Sequence, residues 1–337
     1  MAVAANIEFH RFPHVELLEG PTPIQKLDRL SASLGGVNIF VKRDDVMGLG
    51  GGGNKLRKLE FLVGQAIAQG ADTIVTVGAR QSNHARLTAA AAARAGLKCE
   101  LVLTRAVPRT DPAYTDNGNI LLNDLLGAVV HDLPGSANAL EFAEARANEL
   151  RALGRNVYVC PLGGSSPVGC LGYARCAIEI DQQAQQQGIS FDEVVVPNGS
   201  GGTHAGLAAG FTLLGRGTTF VRGHAVLSSA ERSTQITLEK TSQTLELMGA
   251  SNRMSEADIN ISGEHLGDGY GIPTDSMRAA VRAMASTEGL LLDPVYGGKA
   301  FAGMIQDIEQ GRYKPGQNVL FVMTGGIPGL YAYRSAF

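Results

Sequence analysis

The sequence predicts an α/β protein built on mainly parallel sheet. Two observations predict it. Short runs rich in β-branched residues, nearly continuous in hydrophobicity, alternate with amphipathic segments of helical period. Glycine-rich turns join the two kinds of segment, and the most unusual polar residues gather in those turns. A length of 337 residues allows two domains or one large one.

Strands are expected at 38–42, 73–77, 99–104, 157–161, 194–197, 220–227 and 319–323. Unbroken apolar runs of this kind suit parallel strands buried on both faces. Between them, Leu56, Leu59, Leu62, Val63, Ala66 and Ile67 recur at helical spacing, and Gly70 ends that helix. An alanine-rich helix at 84–95 stops at Gly96. Another runs from 136 to 153. Ser166 and Pro167 read as an N-cap and first-turn proline of a helix reaching to about 187. The stretch 231–258 is the least legible and is expected to be a helical excursion.

Hydrophobic residues make up 44% and charged residues 18%, as in an ordinary globular protein. A net charge of −3 gives no bulk attraction for nucleic acid or anionic membrane. No stretch approaches the ~20 apolar residues that span a bilayer. The opening MAVAANIEFHRFP lacks a basic segment followed by an apolar run, so no secretory signal is expected. Cys99, Cys160, Cys170 and Cys176 form no C-x-x-C pair and read as buried thiols, which places the chain in the cytoplasm by default.

In open α/β sheets, ligands bind where strands end and helices begin. Four clusters occupy such places. The first is Gly50-Gly51-Gly52-Gly53-Asn54-Lys55. Its glycines leave room for a bulky group. Lys55 falls at a helix start, where the dipole disfavours positive charge, so its neutral, nucleophilic amine is favoured. A solvated lysine on a surface loop is the plainer alternative. The second cluster is Arg80-Gln81-Ser82-Asn83-His84, where small polar groups and free helix N–H groups suit a carboxylate; a simple cap would look similar. The third is Asn198-Gly199-Ser200-Gly201-Gly202-Thr203. Successive N–H groups in such a turn form an anion nest, and a helix dipole follows, so a phosphate is expected here. The fourth, Thr324-Gly325-Gly326, reads alone as a strand end.

Two look-alike motifs fail. Gly48, Gly50 and Gly53 match the dinucleotide fingerprint in letters, but Lys42 to Asp45 separate them from the strand and the following acidic residue is missing. Lys55 follows Asn54 and precedes Leu56, unlike an ATP-type phosphate loop. No metal is expected: His10 and His14 are split by Pro13, and no acidic ligand completes a set. Tyr270, Asp293 and Tyr296, taken alone, are turn residues.

The ordered blocks Pro21-Thr22-Pro23, Val41-Lys42-Arg43-Asp44-Asp45, Gly52-Gly53-Asn54-Lys55-x-Arg57-Lys58 and Gln81-Ser82-Asn83-His84 resemble those of a known family. So do Gly163-Gly164-Ser165-Ser166, the 199–206 loop, Gly269-Tyr270-Gly271-Ile272-Pro273, Leu292-Asp293-Pro294-Val295-Tyr296 and Thr324-Gly325-Gly326. The family is that of D-cysteine desulfhydrase, L-cysteate sulfo-lyase and 1-aminocyclopropane-1-carboxylate deaminase. The resemblance runs from about residue 10 to the C-terminus. It implies a tryptophan-synthase-β-like fold (fold type II) with pyridoxal 5'-phosphate (PLP) as cofactor. Two domains, each with a mainly parallel sheet flanked by helices, would follow: a larger one from 1–65 and 165–337, and a smaller inserted one from 66–164. The resemblance also implies a homodimer and a small amino-acid substrate. By the same resemblance Lys55 carries the cofactor, Asn83 contacts its 3'-oxygen, the Asn198–Thr203 loop takes its phosphate and Thr324 bonds its ring nitrogen. Ser82 would bind the substrate carboxylate, and Tyr270 and Tyr296 would flank the substrate.

The expected reaction is β-elimination giving pyruvate and ammonia, because a hydroxyl such as Thr324 does not keep the ring nitrogen protonated. Position 297 is glycine, where the ring-opening deaminases carry glutamate, and this disfavours ring opening. D-cysteine is the leading substrate. L-cysteate is the alternative, if Arg80 pairs with a sulfonate rather than with a structural acid. A non-catalytic PLP or amino-acid binder and a nicotinamide oxidoreductase are readings of other classes; the set Lys55, Ser82, Tyr270 and Tyr296 argues against the first.

Overall fold

The computed structural model describes residues 8–250 and 254–337. Its strands are β1 (Ile24–Lys26), β2 (Asn38–Arg43), β3 (Thr73–Ala79), β4 (Lys98–Thr104), β5 (Val129–Leu133), β6 (Val157–Cys160), β7 (Glu193–Asn198), β8 (Val221–Ala225), β9 (Asn260–Ser262) and β10 (Asn318–Met323). The helices are α1 (Asp28–Ser33), α2 (Lys55–Ala68), α3 (Asn83–Ala95), α4 (Pro112–Asp116), α5 (Asn119–Leu125) and α6 (Ala139–Ala152). After them come α7 (Pro167–Gln187), α8 (Gly202–Leu213), α9 (Ala230–Leu247), α10 (Asp275–Glu288), α11 (Gly297–Glu309) and α12 (Ile327–Ala332).

The strands form two sheets. The larger has the order β1-β2-β10-β7-β8-β9, with β1 antiparallel to β2 and the other pairs parallel. The smaller, β5-β4-β3-β6, is parallel throughout. This is the fold-type-II architecture. The smaller sheet is drawn entirely from chain that lies between β2 and β7 of the larger one.

Burial on both faces explains the unbroken apolar runs. In the larger sheet Ile39, Val41, Val195, Val319 and Phe321 pack against Met277, Met284, Phe301 and Met304 of α10 and α11. Their neighbours Phe40, Val194, Val196, Leu320 and Val322 face the other way, onto Tyr173, Ile180, Leu207 and Phe211 of α7 and α8. The smaller sheet repeats this: Ile74, Leu101 and Leu103 meet α2 and α3, while Val75, Val77 and Val102 meet Ala143 and Leu150 of α6.

Three strands depart from the expected set: β1, β5 and β9. All three lie at sheet edges. An edge strand is short and half solvated, so it lacks the continuous apolar run that marks a central strand. The β8 strand also starts later than expected, because Phe220 belongs to a 3₁₀ turn. The excursion at 231–258 contains α9, which ends at Leu247; residues 251–253 of it lie outside the described residues.

Helices α2, α7 and α8 approach backbone to backbone. A Cβ at Gly172 of α7 would lie 2.0 Å from the Arg57 carbonyl oxygen, and one at Gly206 of α8 would lie 2.3 Å from that of Cys170. This close stack brings the first turn of α2 beside the first turn of α8. The four cysteines are free and buried, and burial pushes Cys99 and Cys160 up to about 12. Among the described residues no helix is long and apolar enough to cross a membrane, and no cluster of metal-ligating side chains occurs.

Candidate active site

The carboxyl ends of β10 and β7 in one sheet and of β3 and β6 in the other converge on a cleft. Two cavities meet there. The first is narrow and lined by Asn54, Lys58, Asn83, Gly199 to Thr203 and Thr324. The second, of about 400 Å³, is lined by Ser82, His84, Tyr270 and a largely apolar wall. Lys55, Ser200 and Tyr296 line both.

Lys55 is the first residue of α2. The turn before it needs glycine: Gly52 has φ +72°, and a Cβ there would lie 2.3 Å from the Met47 carbonyl oxygen. The Asn54 N–H donates to the Thr324 carbonyl at 3.0 Å, and the Asn54 amide donates to Thr203 Oγ1 at 3.0 Å. One residue thus joins the lysine turn, the β10 end and the α8 start. Burial lowers the Lys55 amine to about 8, although the Asp293 carboxylate opposes the shift. An amine so placed is substantially neutral in mildly alkaline solution.

The α8 N-terminus begins at Gly201, with φ +81°, and no side chain caps it. Its N–H groups and dipole face the first cavity. A Cβ at Gly202 would lie 2.5 Å from Ser165 Oγ and 2.9 Å from Lys58 Nζ, so the loop is a shallow cradle that only glycine leaves open. Ser165 Oγ pairs with Ser200 Oγ at 2.7 Å, and Lys58 Nζ donates to Ser165 Oγ at 3.0 Å. Burial, then the neighbouring Lys55, lower the Lys58 amine well below its ordinary value. A dianion in the cradle would supply the charge that this buried lysine lacks. The sequence patterns alone give Lys58, Asn54 and Ser165 no role. The readable signal was that Lys58 stands three residues after Lys55, on the same helix face.

Ser82 caps α3, its Oγ accepting from the Ala85 N–H at 3.1 Å. Asn83 Oδ1 accepts from Asn119 at 2.9 Å. The Tyr270 and Tyr296 hydroxyls are 2.6 Å apart, and burial pushes both phenols up, so they stay neutral. Asp293 accepts from the N–H groups of Val295, Tyr296 and Gly297 at 2.7–2.9 Å, and burial still raises it to about 6. Burial and the neighbouring lysines hold His84 well below its usual value, and its Nε2 is 2.8 Å from Thr76 Oγ1.

Three expected site residues are placed away from both cavities. Arg80 Nε donates to Asp132 at 3.0 Å, and Arg105 shares that carboxylate. Gln81 donates to the carbonyls of Tyr114 and Asn117 and accepts from the Asn119 N–H, splicing α4 and α5 onto the loop. Asn198 turns into the core and donates to Thr237 Oγ1 at 2.9 Å, so in the anion loop only the residues after it face the cavity. In each case a buried or charged group nearer to hand satisfies the side chain.

The cradle, the uncapped helix start and the buried lysine pair fit a phosphate-bearing aldehyde. Comparison with known proteins agrees. Residues 15–325 match the family described as pyridoxal-phosphate dependent enzyme. The D-cysteine desulfhydrase of Klebsiella pneumoniae (strain 342) is 43% identical over 326 residues, 96% of this chain and 97% of the relative. That of Serratia proteamaculans (strain 568) is 43% identical over 325 residues, with the same coverage. A crystal structure of a 1-aminocyclopropane-1-carboxylate (ACC) deaminase homologue superimposes with a TM-score of 0.86 at 38% identity, covering 97% of this chain and 95% of the other. The T.th. threonine deaminase, at 19% identity and a TM-score of 0.61 over 90% of this chain and 92% of its own, shares the fold. The cofactor is PLP, and the chain belongs to the pyridoxal-phosphate dependent enzymes.

Proposed function

We propose that this protein is a carbon–sulfur lyase that removes sulfur from D-cysteine by β-elimination, releasing hydrogen sulfide, pyruvate and ammonia. The observation that carries the reading is Lys55, a buried amine lowered to about 8, standing where an anion cradle and a substrate-sized cavity meet. The D-cysteine desulfhydrases that match 96% of the chain supply the substrate.

When bound, PLP supplies an electron sink for the substrate's Cα. The chain's own groups do the rest. Lys55 holds the cofactor and moves the Cα proton. The backbone of Gly199 to Thr203, the α8 dipole and Lys58 would hold the phosphate, and Asn83 and Thr324 would hold the ring. The hydroxyl of Thr324, placed beside the cofactor's ring nitrogen, would not keep that nitrogen protonated, and this would favour loss of a β-substituent over transamination. Ser82 and the N–H groups of α3 orient the substrate carboxylate. The neutral Tyr270–Tyr296 pair offers a hydroxyl to the departing sulfur.

L-cysteate is disfavoured, because Arg80 is engaged by Asp132 and Lys55 is, among the described residues, the one lysine or arginine on the larger cavity's wall. Opening of a cyclopropane ring is disfavoured because Gly297 offers no carboxylate, and a Cβ there would lie 3.1 Å from Asp293 Oδ1. The reading also carries a homodimer in the cytoplasm.

The test is an end-point assay of PLP-loaded protein with D-cysteine, L-cysteine, L-cysteate and ACC, offered separately. Sulfide and pyruvate from D-cysteine, lost in Lys55→Ala together with covalent cofactor attachment, are expected. A Lys55→Ala enzyme that still turns over would sink the assignment.

A further inference from the structure

Tyr270 stands on a stretch that local structure does little to fix. Residues 263–274, between β9 and α10, form neither helix nor strand. The two neighbours of Tyr270 are Gly269 and Gly271, with φ of +144° and +71°, and glycine by itself favours no single backbone shape. Yet the Tyr270 hydroxyl meets that of Tyr296 at 2.6 Å. The hold has to come from outside the stretch.

Two buried side chains provide it, one on each side. Lys299 Nζ donates to the carbonyls of Leu266 at 2.6 Å and Gly269 at 2.8 Å. The Tyr333 hydroxyl donates to the carbonyl of Gly271 at 2.9 Å. Lys299 is 0% exposed and Tyr333 1%. A buried ammonium is costly to desolvate, and a cation in the first turn of a helix opposes the dipole, so neither burial nor helix preference explains a lysine as the third residue of α11. The two carbonyls explain it. Tyr296 is the N-cap of the same helix, so one turn of α11 carries one tyrosine of the pair and the cation that grips the backbone beside the other. Tyr333 is fixed in turn: its ring packs edge-on against Tyr114 at 5.4 Å, and the Arg109 guanidinium lies 4.7 Å from its centre. Arg109 and Tyr114 follow β4, so the smaller sheet's part of the chain contributes to the hold.

We infer that Lys299 and Tyr333 are positioning residues for Tyr270: gripping the carbonyls of its two neighbours, they keep its hydroxyl against that of Tyr296 at the cavity wall. The inference deepens the lyase reading, on which it rests for the role of the tyrosine pair. Neither residue lines either cavity of the cleft, so each acts on turnover through Tyr270.

The experiment compares the native holoenzyme with Lys299→Met, Tyr333→Phe, Tyr270→Phe and the double variants that add each positioning substitution to Tyr270→Phe. Pyruvate formed from D-cysteine gives kcat, and titration with PLP gives cofactor affinity. A displacement of about 1 Å at a reacting group costs about 10²-fold. The kcat of Lys299→Met and of Tyr333→Phe is therefore expected to fall about tenfold or more, with PLP affinity within about twofold of native. On the Tyr270→Phe background each substitution is expected to cost less than about twofold, because the hydroxyl that they position is gone. Losses that multiply in full on that background overturn the inference. A second readout needs no turnover. The chain has eight tyrosines, and fluorine NMR of holoenzyme labelled with fluorotyrosine reads each by its surroundings. Tyr270→Phe identifies the Tyr270 line, and Tyr158 of β6, which bonds Gln65 instead, is the reference. The Tyr270 line is expected to shift or broaden in both positioning variants while that of Tyr158 stays; an unmoved Tyr270 line overturns the inference and spares the lyase. If the native enzyme leaves D-cysteine unconsumed, the lyase reading falls and the Tyr270 line alone decides the positioning. If Lys299→Met does not fold, Tyr333→Phe, which loses a single hydroxyl, decides by the same two readouts.

Discussion

Lys55 owes its reactivity to where its amine is held rather than to any property of lysine. Burial disfavours its charged form, the α2 dipole adds to that, and Asp293 opposes it without winning, so the amine sits at about 8. Asp293 is a weak counterweight because burial has also raised its carboxyl, to about 6, despite three N–H donors. The direction gives a pH dependence. Above about 8 the amine is neutral and competent; below it the neutral fraction falls tenfold per pH unit. The rate at which cofactor-free protein captures PLP, followed by absorbance in stopped flow, is expected to rise about tenfold per unit up to pH 8 and then level. A rate that keeps rising to pH 10 would mean an ordinary lysine.

At the scale of elements, the site depends on how closely three helices stack. Gly172 lets α7 touch the α2 backbone at Arg57, and Gly206 lets α8 touch α7 at Cys170. The first turns of α2 and α8, which carry Lys55, Lys58 and the anion cradle, are placed by these contacts. Gly172→Ala puts a methyl 2.0 Å from a carbonyl oxygen with only backbone to yield. Overpacking of this kind costs about 1–3 kcal/mol. The variant is expected to unfold at lower denaturant with an unchanged slope, and to bind PLP more weakly because α2 and α8 are pushed apart. A variant with lowered stability but native PLP affinity would show that the helices recover their spacing at the site.

For the whole molecule, a buried ion cluster ties the segments together. Arg57 on α2 donates to both Asp44 oxygens at 2.9 Å and to Glu179 of α7 at 2.8 Å and 3.0 Å. Tyr173 donates to Asp44 at 2.6 Å, Thr22 does so at 2.7 Å, and Lys42 pairs with Glu179. The cluster joins residues before and after the smaller sheet's part of the chain. Burial alone would raise the Asp44 carboxyl, but Arg57 and Lys42 hold it below its usual value. A lowered carboxylate contributes stability above its unfolded value near 3.8 and loses that contribution as pH falls. Arg57→Met leaves the buried Asp44 without its ion-pair partner and is expected to cost about 3–5 kcal/mol at neutral pH. The deficit should shrink as pH falls, because the buried Asp44 of the variant, without Arg57 to hold its charge, takes up its proton at higher pH than Asp44 of the native cluster. Urea unfolding at pH 7 and pH 4 checks both the size and the sign; a deficit that grows on acidification would remove Asp44 from the account.

The sequence by itself determined the central strands, because β2, β3, β4, β7, β8 and β10 are buried on both faces or nearly so and are written as apolar runs; β6 was legible from its β-branched run although it lies at an edge. It determined the glycine turns as well, since a position such as Gly52 with positive φ and a carbonyl 2.3 Å from its absent Cβ admits little else. Lys55 and the 199–203 loop were legible for that reason. Tertiary structure decided whatever depends on a distant partner. Arg80 turns from the cleft because Asp132 is nearby, and Asp132 lies on β5, an edge strand with no apolar run to betray it. Asn198 points inward because Thr237 of α9 waits there. Lys58 reaches the cradle because Gly172 and Gly206 let three helices close on one another. Local chemistry sets which backbone a residue adopts; which way a polar side chain faces is set by the nearest group that can satisfy it, and that group is chosen by the fold.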